Sequence, residues 1–138
     1  MTTRPQQTAA WLYLINTVLL TVHEIDSAYW HEWQLLRIPG GIHVFLLLHL
    51  PLLGVVLYGF WCVVQWRRWA RAFSYGLALV GIGAVTLHTV LMAVGNPEFR
   101  QPVSLGVLAS ILIVSGVQMV VASRLSGASS SDPTRGES

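Results

Sequence analysis

Four long apolar runs, separated only by glycine, proline and arginine punctuation, constrain this chain more than any other feature. The ~30 Å hydrocarbon core of a bilayer takes about 20 helical residues at 1.5 Å each. The spacing predicts membrane helices over 9–32, 42–66, 72–94 and 103–123. Arg37-Ile38-Pro39-Gly40-Gly41 separates the first two and the Arg67, Arg68, Arg71 stretch the next two. Gly95-Asn96-Pro97 closes the third, as a helix-ending glycine followed by proline does. The expected architecture is all-α, an integral membrane four-helix bundle with short connections. Residues 1–8 read as a frayed cytoplasmic segment, and 124–138 as a disordered cytoplasmic tail with nothing to bury.

Composition supports the membrane reading. The chain is 54% hydrophobic and 10% charged, far below the ~25% charged residues of soluble domains, so it lacks the polar surface to face water all round. Its basic residues are scattered arginines, which excludes nucleic acid as an implied partner and leaves the lipid bilayer. The single Cys62 forms no internal disulfide and no paired-cysteine metal motif, and reads as a packing residue. The first apolar run ends in His23 and Glu24 instead of a small-residue cleavage site, so it is expected to be retained. Arg4, the Arg67/Arg68/Arg71 loop and Arg124 fall on one side, against Arg37 and Arg100 on the other. The arginine bias puts both termini in the cytoplasm of a multi-pass inner-membrane protein.

Within this scaffold one stretch stands apart: Val22 to Trp33, VHEIDSAYWHEW, holds three of the chain's six carboxylates and two of its five histidines. The apolar part of the first helix is too short to span alone, so the helix carries its charged end into the outer half of the membrane. Alternatively, the chain bends near Glu24 and residues 25–36 lie along the interface, which Trp30 and Trp33 would tolerate. On the expected boundaries His23, His49 and His88 lie about 13, 10 and 9 Å inside their helix ends, three imidazoles in one layer. Asn16, His23, Ser27 and Trp30 form one polar stripe with Asp26 beside it. Ser74, Ala78, Gly81, Val85 and His88 form a small-residue packing stripe on the third helix. His49 has no polar neighbours on its face. Pro51 is expected to kink the second helix.

An ionised group facing lipid near the bilayer centre costs roughly 2.5 to 3.5 kcal/mol, so Glu24 and Asp26 should turn inward, protonate or pair with His23, His49 or His88. Asp26 is three residues from His23, and Glu24 is seven from His31 on the same face. Four readings are compatible with this arrangement. The first is a structural polar network of Asn16, His23, Glu24, Asp26, Ser27, His31, His49 and His88, which would suit an accessory protein packed on a larger membrane partner or on itself. The second is a metal site of His23, Asp26 or Glu24, His49 and His88, with a transition metal as the first cofactor the ligand types suggest. Haem between His49 and His88 is the third. The fourth is a proton or ion pathway, for which Asn16, Ser115 and Gln118 are the inner-half candidates; Gln118 reads equally as an interface residue. The His-Glu pairs lack the second histidine of a zinc-protease helix, and Gly81-Ile82-Gly83-Ala84 follows no strand and is packing.

HEIDSAYWHEW, the PGG turn and the HLPLL segment together resemble a group of short bacterial inner-membrane proteins of unknown function. The likeness covers the first two helices best and the rest in layout. It implies a four-helix membrane protein of bacterial type and carries over no activity, substrate or ligand.

Overall fold

The computed structural model describes residues 4–95 and 101–127. The chain forms α1 (Arg4–Tyr29), α2 (Glu32–Leu35), α3 (Gly41–Val64), α4 (Ala70–Ala93) and α5 (Pro102–Gly127). All but α2 are long and apolar enough to cross a membrane.

Three boundaries depart from the sequence expectation, each for a local reason. Residues 4–8, expected to fray, are helical, because Pro5 sits in the first turn where its missing N–H costs nothing and its φ is already helical. The Thr8 hydroxyl donates to the Arg4 carbonyl at 3.1 Å. α1 ends at Tyr29, not at residue 32, because His31 takes the left-handed conformation at φ 55°. α5 starts on Pro102 and runs past 123 to Gly127, with Arg124 in the last turn, where a cation complements the helix dipole. Residues 1–3, most of the α4–α5 connection and the tail from residue 128 lie outside the described residues.

The connections close the helices economically. Trp66 is left-handed at φ 49°, its N–H donates to Val63 and that of Arg67 to Cys62, the paired bonds that satisfy the last carbonyls of α3. The same pattern ends α2, where Arg37 at φ 54° donates to Gln34 and Ile38 to Trp33. α3 stays helical on both sides of Pro51.

The spanning helices alternate in direction. α5 packs most extensively on α4 and α1, and α3 packs on α4 and α1. α3 and α5 do not meet among the described residues, while α1 and α4 do, so the four form a closed ring in chain order with α1 and α4 across its short diagonal. Two glycines set the closest approaches. A methyl on Gly81 would run into Ser115 and stand 3.0 Å from Ile111, and one on Gly59 would run into the Tyr13 hydroxyl and crowd the Phe73 ring. Gly59 thereby admits Tyr13, whose hydroxyl donates to the Val56 carbonyl at 3.0 Å. Ala9, Tyr13, Val63 and Ala70 pack together near the Arg4 end, and Leu20, Leu77 and Ile111 continue the core. Alternation puts Arg4, Arg67, Arg68, Arg71 and Arg124 at that end of the bundle and Arg37 at the other.

α3 is the peripheral helix. Phe45 is buried near its start, and Gly59, Cys62 and Val63 near its finish. No residue between Phe45 and Gly59 is buried, and in the middle of α3 only His49 and Val56 turn toward the bundle.

Candidate functional site

Two polar assemblies occupy the interior, and they differ in chemistry. At mid-height Asn16, fully buried, donates through Nδ2 to Ser115 Oγ at 3.1 Å and to Gln118 Oε1 at 2.9 Å. Gln118 Nε2 then donates to the Ser74 carbonyl at 2.9 Å. Gln118 is 1% exposed, so it is a core residue and its alternative placing at the membrane interface falls away. This network joins α1, α4 and α5 and contains no ionisable group.

The second assembly lies toward the Arg37 end. His23 of α1 and His88 of α4 are buried and meet edge to face, ring centroids 4.5 Å apart. His49 of α3 places Nε2 2.6 Å from Glu24 Oε2 on α1. His88 Nε2 faces Glu32 Oε1 at 3.5 Å, with both side chains buried. Glu24 is within electrostatic reach of Glu32 and His88, so the two pairs are neighbours. Asp26, half-buried, is within reach of His23.

Glu32 owes its place to the break after Tyr29. Nine residues at 100° each would set Glu32 about 180° around a continuous helix from His23, facing away from it. The left-handed residue at His31 turns the chain back, and α2 brings Glu32 over the end of the bundle onto the ring that His23 touches. The same turn removes His31 from the cluster: it is exposed and lies against Trp33, centroids 5.1 Å apart, so its expected alignment with Glu24 is not formed. The alternative of a bend near Glu24 is also corrected, since α1 continues five residues beyond it.

The proton inventory is determined by geometry. His49 Nδ1 lies 2.7 Å from the Phe45 carbonyl and His88 Nδ1 3.0 Å from that of Ala84. A carbonyl only accepts, so each Nδ1 carries hydrogen and each Nε2 is the atom offered to its carboxylate. At 2.6 Å one proton must lie between His49 Nε2 and Glu24 Oε2, whether it is counted as imidazolium with carboxylate or imidazole with carboxylic acid. The wider His88–Glu32 separation is an ion-pair distance.

Of the expected site residues, the structure thus brings His23 and His88 into contact, pairs His49 with Glu24 instead, and leaves Asp26 at the edge. Asn16 belongs to the mid-height network. Ser27 is buried beside the cluster on the α1 stripe, its Oγ without a hydrogen-bond partner among the described residues. Among the described residues no three His, Cys, Asp or Glu side chains converge as metal ligands. The set His23, Asp26, His49 and His88 is therefore not assembled as one coordination shell. The Nε2 atoms of His49 and His88 address carboxylates and do not flank a shared haem position. Glu32 is the member that helical periodicity missed; its signal in the sequence was the repeated His-Glu step at His31.

Beside the cluster a groove of about 520 Å³ opens between α1 and the middle of α3. Glu24 and His49 line it together with Leu20, Leu53, Val56 and Leu77. Phe45, stacked on His49 with centroids 3.9 Å apart and tilted against Trp33 at 5.3 Å, forms its aromatic wall.

Fold and site define a small multi-pass α-helical membrane protein with an ionisable cluster near one end of its bundle. The chain belongs to DUF6713, a family of unknown function whose profile matches residues 9–125. No curated protein and no solved structure matches it.

Proposed function

We propose that this is an inner-membrane protein with cytoplasmic termini whose working part is the His/Glu cluster in the outer half, a proton-exchanging site open to one side only. The observation that carries this reading is the Glu24–His49 contact, with Nδ1 already committed to the Phe45 carbonyl. Such a pair holds a single transferable proton at no net charge, and both side chains are about one-third exposed, within reach of an incoming group. The arginine-rich end lies opposite the cluster, which favours the outer placing.

A path through the whole bilayer is disfavoured by the gap below His23. Seven residues, about 10 Å, separate it from Asn16, and Leu20 fills the core between them. Asn16 and Gln118 use their amides in fixed bonds and hold no exchangeable acid or base. The structural-network reading fits this mid-height assembly, which ties α1, α4 and α5 into register.

Infrared pH titration of the protein in nanodiscs tests the reading. A carboxyl band that responds to pH and is lost in Glu24→Gln is expected, while liposomes carrying the protein should hold an imposed pH gradient as well as empty ones. A titration without a Glu24 band, or a collapsed gradient, overturns a one-sided proton-exchanging site.

A further inference from the structure

The groove between α1 and α3 has a one-sided hydrogen-bonding character that identifies its occupant. Each polar hydrogen lining it is already committed. The Thr17 hydroxyl donates to the Tyr13 carbonyl at 2.9 Å and that of Thr21 to the Thr17 carbonyl at 2.8 Å. His49 Nδ1–H is bound to Phe45, and the Nε2 proton is shared with Glu24. Glu24 makes no other hydrogen bond among the described residues, so Oε1 and the threonine lone pairs are what the wall offers, and all are acceptors. Pro51 withholds the N–H that the carbonyl of Leu47, another lining residue, would receive in an uninterrupted helix.

We propose that this groove binds a neutral, membrane-dissolved alcohol or phenol, its hydroxyl donating to Glu24 and its hydrocarbon tail lying beneath the middle of α3. The remaining lining is apolar and faces the lipid side of the bundle, so the occupant enters from the membrane. A second, mostly apolar recess of about 480 Å³ continues along α3 to Tyr58 and Trp69 at its far end, sharing Leu52, Val56, Leu77 and Val80 with the first, which extends the room for a tail. Both volumes lie in the range of small-molecule sites. A cationic head is disfavoured because the shared His49 proton already answers the Glu24 charge, and a further charge would enter apolar surroundings uncompensated. A quinone or ether of the same shape brings no hydrogen to an acceptor-only wall.

The inference rests on Glu24 and His49 being a proton-sharing pair, and its test reads ligand binding, which the infrared titration does not. The full-length protein is placed in phosphatidylcholine nanodiscs, whose lipid has no hydroxyl donor, and saturable binding of radiolabelled para-decylphenol is compared with that of its methyl ether. The phenol should bind about tenfold more tightly, the size of one hydrogen bond to a charged group. Glu24→Gln should bring the two ligands to near parity, and Leu53→Trp should weaken both by filling the groove. If Glu24→Gln does not fold, the phenol-to-ether ratio on the unaltered protein decides alone. Equal affinity for phenol and ether, or tighter binding of dodecylamine than of the phenol, overturns the proposal.

Discussion

Glu24 Oε2 stands 2.6 Å from His49 Nε2, on a ring whose Nδ1 is tied to the Phe45 carbonyl at 2.7 Å. The backbone of α3 therefore selects which nitrogen meets α1, and the carboxylate completes a three-part line from carbonyl to imidazole to acid. Nitrogen NMR of histidine-labelled protein should show a ring protonated at Nδ1 with a strongly deshielded proton at Nε2. That signal should vanish in Glu24→Gln; its persistence would show that the proton is held by another group.

The mid-height network should be costly to break from one side. Asn16→Leu leaves the buried Ser115 and Gln118 without their shared donor, with an expected loss of about 1 to 3 kcal/mol in detergent unfolding. Adding Ser115→Ala and Gln118→Leu should return part of that loss. A single substitution without effect would mean that water or another donor replaces the amide.

Gly81→Ala drives a methyl into Ser115 and against Ile111 at the seam of α4 and α5. Overpacking of this kind costs about 1 to 3 kcal/mol. Ser115→Ala in the same chain should relieve part of it, and a double-mutant cycle in thermal unfolding would read the coupling.

His31 holds a left-handed conformation that costs a side-chain-bearing residue about 1 kcal/mol or more. His31→Gly should keep α2 in place and raise the unfolding temperature, whereas His31→Val should lower it and loosen Glu32 from His88. Equal stability of the two variants would show that this backbone position does not set the turn.

Orientation is checked by fusions. A reporter active only in the cytoplasm should work after Ser138 and fail in the connection between Gly95 and Gln101. The opposite result would move the cluster to the cytoplasmic face without altering its geometry.

Much of the fold was legible because hydrocarbon length and turn chemistry act locally. The Pro39-Gly40-Gly41 and Gly95-Asn96-Pro97 stops, and the Gly81 stripe ending in His88, need no knowledge of neighbouring helices. The buried side of α1 was legible too, since Asn16, His23 and Ser27 recur at helical spacing and all lie inside. Which imidazole meets which acid was not, because that depends on the rotation of α3 relative to α1, and its even coat of leucines leaves that rotation unspecified. Glu32 was hidden for a different reason: one non-glycine residue at positive φ reverses the facing of the residues after it, and histidine is no signal for such a turn. Gln118 reads as a border residue by depth alone, and only the Asn16 amide opposite explains its burial.

The middle of α3 buries no side chain and meets the bundle through His49 on Glu24 and Val56 under Tyr13, so the groove beside it is walled by leucines that also face the lipid. Traffic through such a doorway is governed by partitioning: the concentration that counts is that in the surrounding oil, so a compound scarcely soluble in water can saturate the protein without crossing the headgroup layer.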